Sequence, residues 1–78
     1  MNKWKFVSLT EGFQPIPVDS FMEAWDAMFK WIKDAVAQGQ LDWQILETAI
    51  WIEQPNSKPL FFYDARDRAI DNGWTEPK

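Results

Sequence analysis

The fold is decided by Ser20-Phe21-Met22-Glu23-Ala24-Trp25-Asp26-Ala27-Met28-Phe29-Lys30-Trp31-Ile32-Lys33-Asp34-Ala35-Val36-Ala37-Gln38-Gly39. Ser20 followed three residues later by Glu23 is a capping box, in which hydroxyl and carboxylate each satisfy an orphan backbone N–H. Beyond it Phe21, Trp25, Met28, Phe29, Ile32 and Val36 recur at steps of three and four, the spacing of one helical face. Met22, Ala24, Trp31 and Ala35 widen that face into a broad apolar arc. Glu23, Asp26, Lys30, Lys33, Asp34 and Gln38 fall on the other side. Gly39 supplies a left-handed stop. The spacing predicts a helix from about Ser20 to Gln38, and an arc this wide needs a sheet to lie on.

On the N-terminal side, Lys3 to Leu9 reads as a strand in which Trp4 and Phe6 alternate with Lys3 and Lys5. Thr10-Glu11-Gly12 is a turn. Phe13 to Val18 is extended, because Pro15 and Pro17 fix φ and remove two N–H donors, which suits at most a poor edge strand.

On the C-terminal side, Leu41 to Gln54 is ambiguous at its start and strand-like at its end. As a strand from Leu46 it shows Leu46, Thr48, Ile50 and Ile52 on one face and Glu47, Ala49, Trp51 and Glu53 on the other. A helix through Trp43, Leu46 and Ile50 is the alternative. The strand is preferred because Pro55-Asn56-Ser57-Lys58-Pro59 separates it from the β-rich run Leu60-Phe61-Phe62-Tyr63, as in a hairpin. Asp64 then reads as the N-cap of a short helix, Ala65 to Asn72, ended by Asn72-Gly73. Trp74 is expected to fold back and Glu76 to Lys78 to fray.

The string is β-α-β-β-α within a single domain, residues 1–78. The expected fold is α+β: a small three-stranded, mainly antiparallel sheet with one long amphipathic helix across one face and a short C-terminal helix. The order also matches the first five elements of a βαββαβ unit.

Composition narrows the chemistry. The chain has six tryptophans and six phenylalanines but neither histidine nor cysteine. This excludes Cys/His zinc sites, thiolate nucleophiles and the side chain that titrates near neutral pH. Ser8, Ser20 and Ser57 have no histidine to activate them, and Ser57-Lys58 reads as a proline-bounded loop. Gly12, Gly39 and Gly73 stand alone, so no phosphate-binding glycine loop is present. A net charge of −4 opposes phosphate neutralisation. The basic pairs Lys3/Lys5, Lys30/Lys33 and Arg66/Arg68 are too scattered for a nucleic-acid footprint. No apolar run has the length of a signal-peptide core or a membrane span, and a cytoplasmic location is the default.

Three constellations remain. If Ile50 and Ile52 point inward, Trp51 points outward with Glu47 and Glu53. The sequence does not fix the hairpin register, so either Phe61 and Tyr63 or Leu60 and Phe62 can join it. Phe61 and Tyr63 are favoured, because the tyrosine hydroxyl prefers access to water. Such an aromatic face binds a partner or stacks a base, unless the second helix or residues 13–18 cover it. Asp64, Asp67 and Asp71 lie near one side of the last helix. They read as an N-cap, a first-turn charge and a solvated face rather than as oxygen ligands for Mg²⁺ or Ca²⁺. Glu47 and Glu53 are the first carboxylates to examine for acid/base chemistry, and a solvated sheet face accounts for them.

The reading that emerges is a non-catalytic protein-interaction domain without metal or cofactor. Its partner is another protein or a second copy, and it is self-associating or an accessory subunit. Trp51, Phe61, Tyr63, Glu47 and Glu53 are the candidate partner-binding residues. The motive is surplus apolar area together with sheet edges whose N–H and C=O groups a symmetric dimer covers. A small-molecule-binding or carboxylate-dependent enzyme is the alternative. A single-stranded nucleic-acid binder using the aromatic face comes third, and no membrane association is expected.

Overall fold

A computed structural model of the chain describes residues 4–39 and 45–75. The order is β1 (Trp4–Ser8), β2 (Ile16–Val18), α1 (Phe21–Ala37), a π-helical turn (Ile45–Ala49), β3 (Ile50–Glu53), β4 (Leu60–Phe61) and α2 (Phe62–Asp71). The strands form one antiparallel sheet in the order β2-β1-β3-β4. The fold is therefore α+β, with a long helix and a short C-terminal helix as expected. The sheet, however, has four strands rather than three, in the order ββαββα.

The extra strand is β2, from the proline-interrupted segment. Pro17 lies opposite Lys5 on β1. Having no N–H to exchange with Lys5, Pro17 must occupy a non-hydrogen-bonded position, so its missing donor falls on the free edge. The proline costs the ladder nothing, and Trp4–Val18 and Phe6–Ile16 pair on either side of it. The extra strand also removes the βαββαβ analogy. In that unit the strands flanking the first helix run parallel with one strand between them. Here α1 is flanked by β2 and β3, which also run parallel with one strand between them. That strand is β1, which comes before the helix, whereas in the βαββαβ unit the intervening strand comes after it.

Alternation sorts the strands cleanly. Phe6 and Ser8 on β1 and Ile50 and Ile52 on β3 face inward and are buried, and cross-strand pairing puts Phe6 beside Ile52 and Ser8 beside Ile50. Both helices lie on this face. α1 buries Phe21, Ala24, Trp25, Met28, Ile32 and Ala35, whereas Val36, read from the sequence as part of the apolar face, is 57% exposed. α2 contributes Ala65 and Ala69, both fully buried in the same core. Phe13 reaches back to pack edge-on against Phe6 with ring centres 5.3 Å apart. The molecule measures 33 × 30 × 17 Å, thin as two layers require.

The helix ends explain themselves. The Ser20 side chain accepts from the Glu23 N–H at 3.3 Å, while the Glu23 carboxylate accepts from the Asp19 N–H at 2.8 Å. The capping box thus reaches one residue further back than its usual form. Gly39, at φ 70°, follows the Gln38 cap.

Two expectations are corrected. The strand does not begin at Leu46: residues 45–49 coil into a π-helical turn, in which Leu46 is buried while Glu47 and Thr48 are exposed, and the next buried residue is Ile50 at the start of β3. Burial four residues apart is the helical period, and it prevails over the alternation that would pair Leu46 with Thr48. Trp43 and the rest of residues 40–44 lie outside the described residues, as do Lys3 and Glu76 to Lys78. Asp64 is not an N-cap either. α2 starts at Phe62 with Phe61 as its cap residue and no capping side chain, which puts Asp64 in the first turn. Phe62, Ala65 and Ala69 form a helical stripe, and Phe62 packs on Trp25 with ring centres 5.8 Å apart. That burial draws the β-rich pair Phe62-Tyr63 into the helix.

Trp74 folds back as expected. Its N–H donates to the Ala69 carbonyl at 2.9 Å, and its ring stands edge-on to Trp25 and Phe29 at 5.1 and 5.3 Å. Trp25, fully buried, ends among Phe29, Phe62 and Trp74, and its indole N–H has no hydrogen-bond partner among the described residues. Shape and area, rather than polarity, hold that residue in place.

Candidate interaction surface

The outward side of the sheet is built by the same alternation that builds the core. Val7 on β1 lies opposite Trp51 on β3, and Trp51 lies opposite Phe61 on β4. Residues directly opposite across antiparallel strands project from the same face, so the three make one apolar row across three strands. The Trp51 and Phe61 rings are 6.0 Å apart and tilted by 53°. Val7 and Trp51 are half-buried and Phe61 is 37% exposed. Leu9, one step beyond β1 on the same side, is 65% exposed, and its N–H extends the ladder to the Ala49 carbonyl.

A polar row runs beside the apolar one. Lys5 stands between Pro17 on β2 and Glu53 on β3, and all three are exposed. Lys5 and Glu53 thus place opposite charges at directly facing positions of β1 and β3. The face thus presents an apolar strip flanked by one positive and one negative side chain.

Among the described residues, no helix covers this face. α1, the π-helical turn and α2 all contribute to one cluster on the inner side, through Trp25 and Met28, Leu46, and Ala65 and Ala69, joined there by Trp4, Phe13, Trp31 and Trp74. Trp51, Val7 and Phe61 belong to no part of it. Of the five described tryptophans, only Trp51 sits on the open side.

The five candidate residues therefore divide. Trp51, Phe61 and Glu53 share the outer face. Tyr63 does not: it lies in the first turn of α2, 39% exposed, with its ring edge-on to Phe62 at 5.3 Å. Glu47 is exposed on the π-helical turn rather than on the strand. In their place the structure adds Val7 and Lys5. Their signal was present in the alternation of β1, whose inward residues Trp4 and Phe6 leave Lys5 and Val7 facing out.

The sheet edges are less available than an open sheet suggests. On β2 the outward-facing backbone position is Pro17, which has no donor. β4 is two residues long and runs directly into α2. The β3–β4 loop is held closed, the Gln54 side-chain amide donating to the Lys58 carbonyl at 2.7 Å and accepting from Arg68 at 3.0 Å. Among the described residues no group of three acidic side chains is placed to hold a metal ion, Asp64, Asp67 and Asp71 included. No described helix is long and apolar enough to cross a membrane. Comparison with protein-family models, curated proteins and solved structures finds no match.

Proposed function

We propose that this protein is a small, non-catalytic, cytoplasmic protein-interaction domain that docks through the outer face of its sheet. The observation that carries the reading is the row Val7–Trp51–Phe61, placed on the one side of the sheet over which no described helix lies. Large aromatic side chains in the middle of an interface, with polar residues at the rim, are what protein contacts are made of. Lys5 and Glu53 provide such a rim.

Two features favour binding over the alternatives. Glu47 and Glu53 are exposed and sit on different elements, which is the setting of solvated carboxylates rather than of a catalytic pair in a shared cleft. Lys5, the one cation in the described rows of the face, stands beside Glu53, so the face has little net attraction for a phosphate backbone.

The test compares the intact chain with its Trp51→Asp variant, each cross-linked in the cell that expresses it, purified and weighed by native mass spectrometry. The expected result is a complex, of the chain with itself or with another protein, that disappears in the variant while its circular dichroism stays that of the folded domain. A complex that survives the substitution, or a wild-type chain that carries no complex, overturns the reading.

A further inference from the structure

We propose that the occupant of this face is a second copy of the same chain, related by a two-fold axis parallel to the strands and passing between β1 and β3. The inference rests on the interaction reading above and names its partner. Strand addition is disfavoured at both edges, by Pro17 on β2 and by the two-residue length of β4. The apolar row Val7–Trp51–Phe61 on the sheet face offers a route that needs neither edge.

Self-complementarity follows from the register. Lys5 is the direct cross-strand neighbour of Glu53, and Val7 that of Trp51. A two-fold axis between these two strands stacks β1 of one copy over β3 of the other. Lys5 then faces the partner's Glu53, and Glu53 faces the partner's Lys5. In the next row Trp51 meets the partner's Val7, a large ring against a small side chain, and the same contact recurs on the other side of the axis. One operator therefore satisfies both charges twice and sets bulk against a shallow site twice, which is what an isologous contact needs.

Sheets packed face to face lie about 10 Å apart with their strands within about 30° of each other, so both rows fit one such contact. A stable interface takes about 800 Å² from each partner. A molecule 33 × 30 Å across its broad side has room for that.

The experiment is sedimentation equilibrium on the full chain and on Lys5→Glu and Glu53→Lys, alone and mixed. Wild type is expected to be a dimer at micromolar concentration. Each single variant sets like charges against each other in its own homodimer and is expected to weaken it by about tenfold or more. An equimolar mixture regains the dimer, because Lys5→Glu keeps Glu53 while Glu53→Lys keeps Lys5, and every facing pair becomes opposite in sign. Folding of each variant is checked by circular dichroism. Should either fail to fold, Val7→Lys tests the same axis by placing a charge against Trp51, and a monomer is expected. A wild-type monomer at high micromolar concentration overturns the proposal, as does a mixture no tighter than the single variants, or a Val7→Lys chain that dimerises like wild type. If wild type is monomeric yet carries a different protein in a Trp51-dependent way, self-pairing fails and the interaction reading stands. If it carries nothing, both fail.

Discussion

The two faces of the sheet are made from alternate residues of the same strands and meet opposite fates. On β3, Ile50 and Ile52 are fully buried, while Trp51 between them, a larger side chain, stays half-open. Hydrophobicity does not separate them. What separates them is where the helices go. α1 and α2 follow β2 and β4 directly and both return over the inner face, so that each half of the chain is a strand–strand–helix unit covering one side. Two helices can cover one face of a four-stranded sheet but not both. The contrast makes Trp25 and Ile52 structural residues and Trp51 a residue available for other work.

The largest effect is expected at the centre of the covered face. Trp25→Ala removes a buried indole from contact with Phe29, Phe62 and Trp74 and should cost about 3–5 kcal/mol. A chain of this length has roughly 4–12 kcal/mol to lose. Urea unfolding followed by circular dichroism should show a variant near or past its stability limit. Ile52→Ala is next, at about 2–5 kcal/mol, because Ile52 is fully buried between Phe6 and Leu60. A loss under about 1 kcal/mol at Ile52 would mean that the covered face is not packed as described.

How much of this contrast was legible beforehand depends on the scale of the signal. The long helix was readable because Ser20, Glu23 and Gly39 mark its ends locally and its apolar steps persist for several turns. The inward turn of Ile50 and Ile52 and the outward turn of Trp51 followed from alternation alone. Phe61 was expected on the face of Trp51, but on an argument that tied it to Tyr63. Tyr63 belongs to α2, and Phe61 reaches the face as the last strand residue before that helix. The misreadings share a cause: tertiary contact reversed a local preference. Pro17 reads as hostile to a strand until its missing donor is seen to face an edge. Phe62-Tyr63 reads as β until Trp25 is in place to receive Phe62. Residues 46–49 alternate plausibly until Leu46 is buried with Ile50 across a helical turn.

Two middling effects sharpen the boundary of the covered face. Ser20→Ala removes the hydroxyl that accepts from the Glu23 N–H at the start of α1 and should cost about 1 kcal/mol. Arg68 closes the rim. Its guanidinium lies 4.8 Å from the Phe21 ring centre and 5.3 Å from that of Trp4, and it also donates to the Gln54 side chain. Arg68→Ala should cost about 1 kcal/mol, and Arg68→Lys should recover little of it, because an ammonium lacks the planar fork that stacks and donates together. For a domain of this size each loss lowers Tm by about 4–8 °C. A lysine variant as stable as wild type would reduce Arg68 to a solvated charge.

The smallest effect on the folded monomer is expected from the largest side chain on the open face. Trp51→Thr keeps a β-favouring residue between Val7 and Phe61 and removes an aromatic cross-strand pair worth roughly 0.2–1 kcal/mol. At protein concentrations low enough to keep the chain monomeric, its Tm should stay within a few degrees of wild type. Raising the concentration separates the two roles of the residue. A contact made only by folded chains adds stability by mass action, so wild-type Tm should climb with concentration while that of Trp51→Thr stays flat. If both chains melt alike at every concentration, the open face contributes nothing to association. If instead Trp51→Thr is as damaging as Trp25→Ala in dilute solution, the indole belongs to the core, and the difference between the two faces disappears.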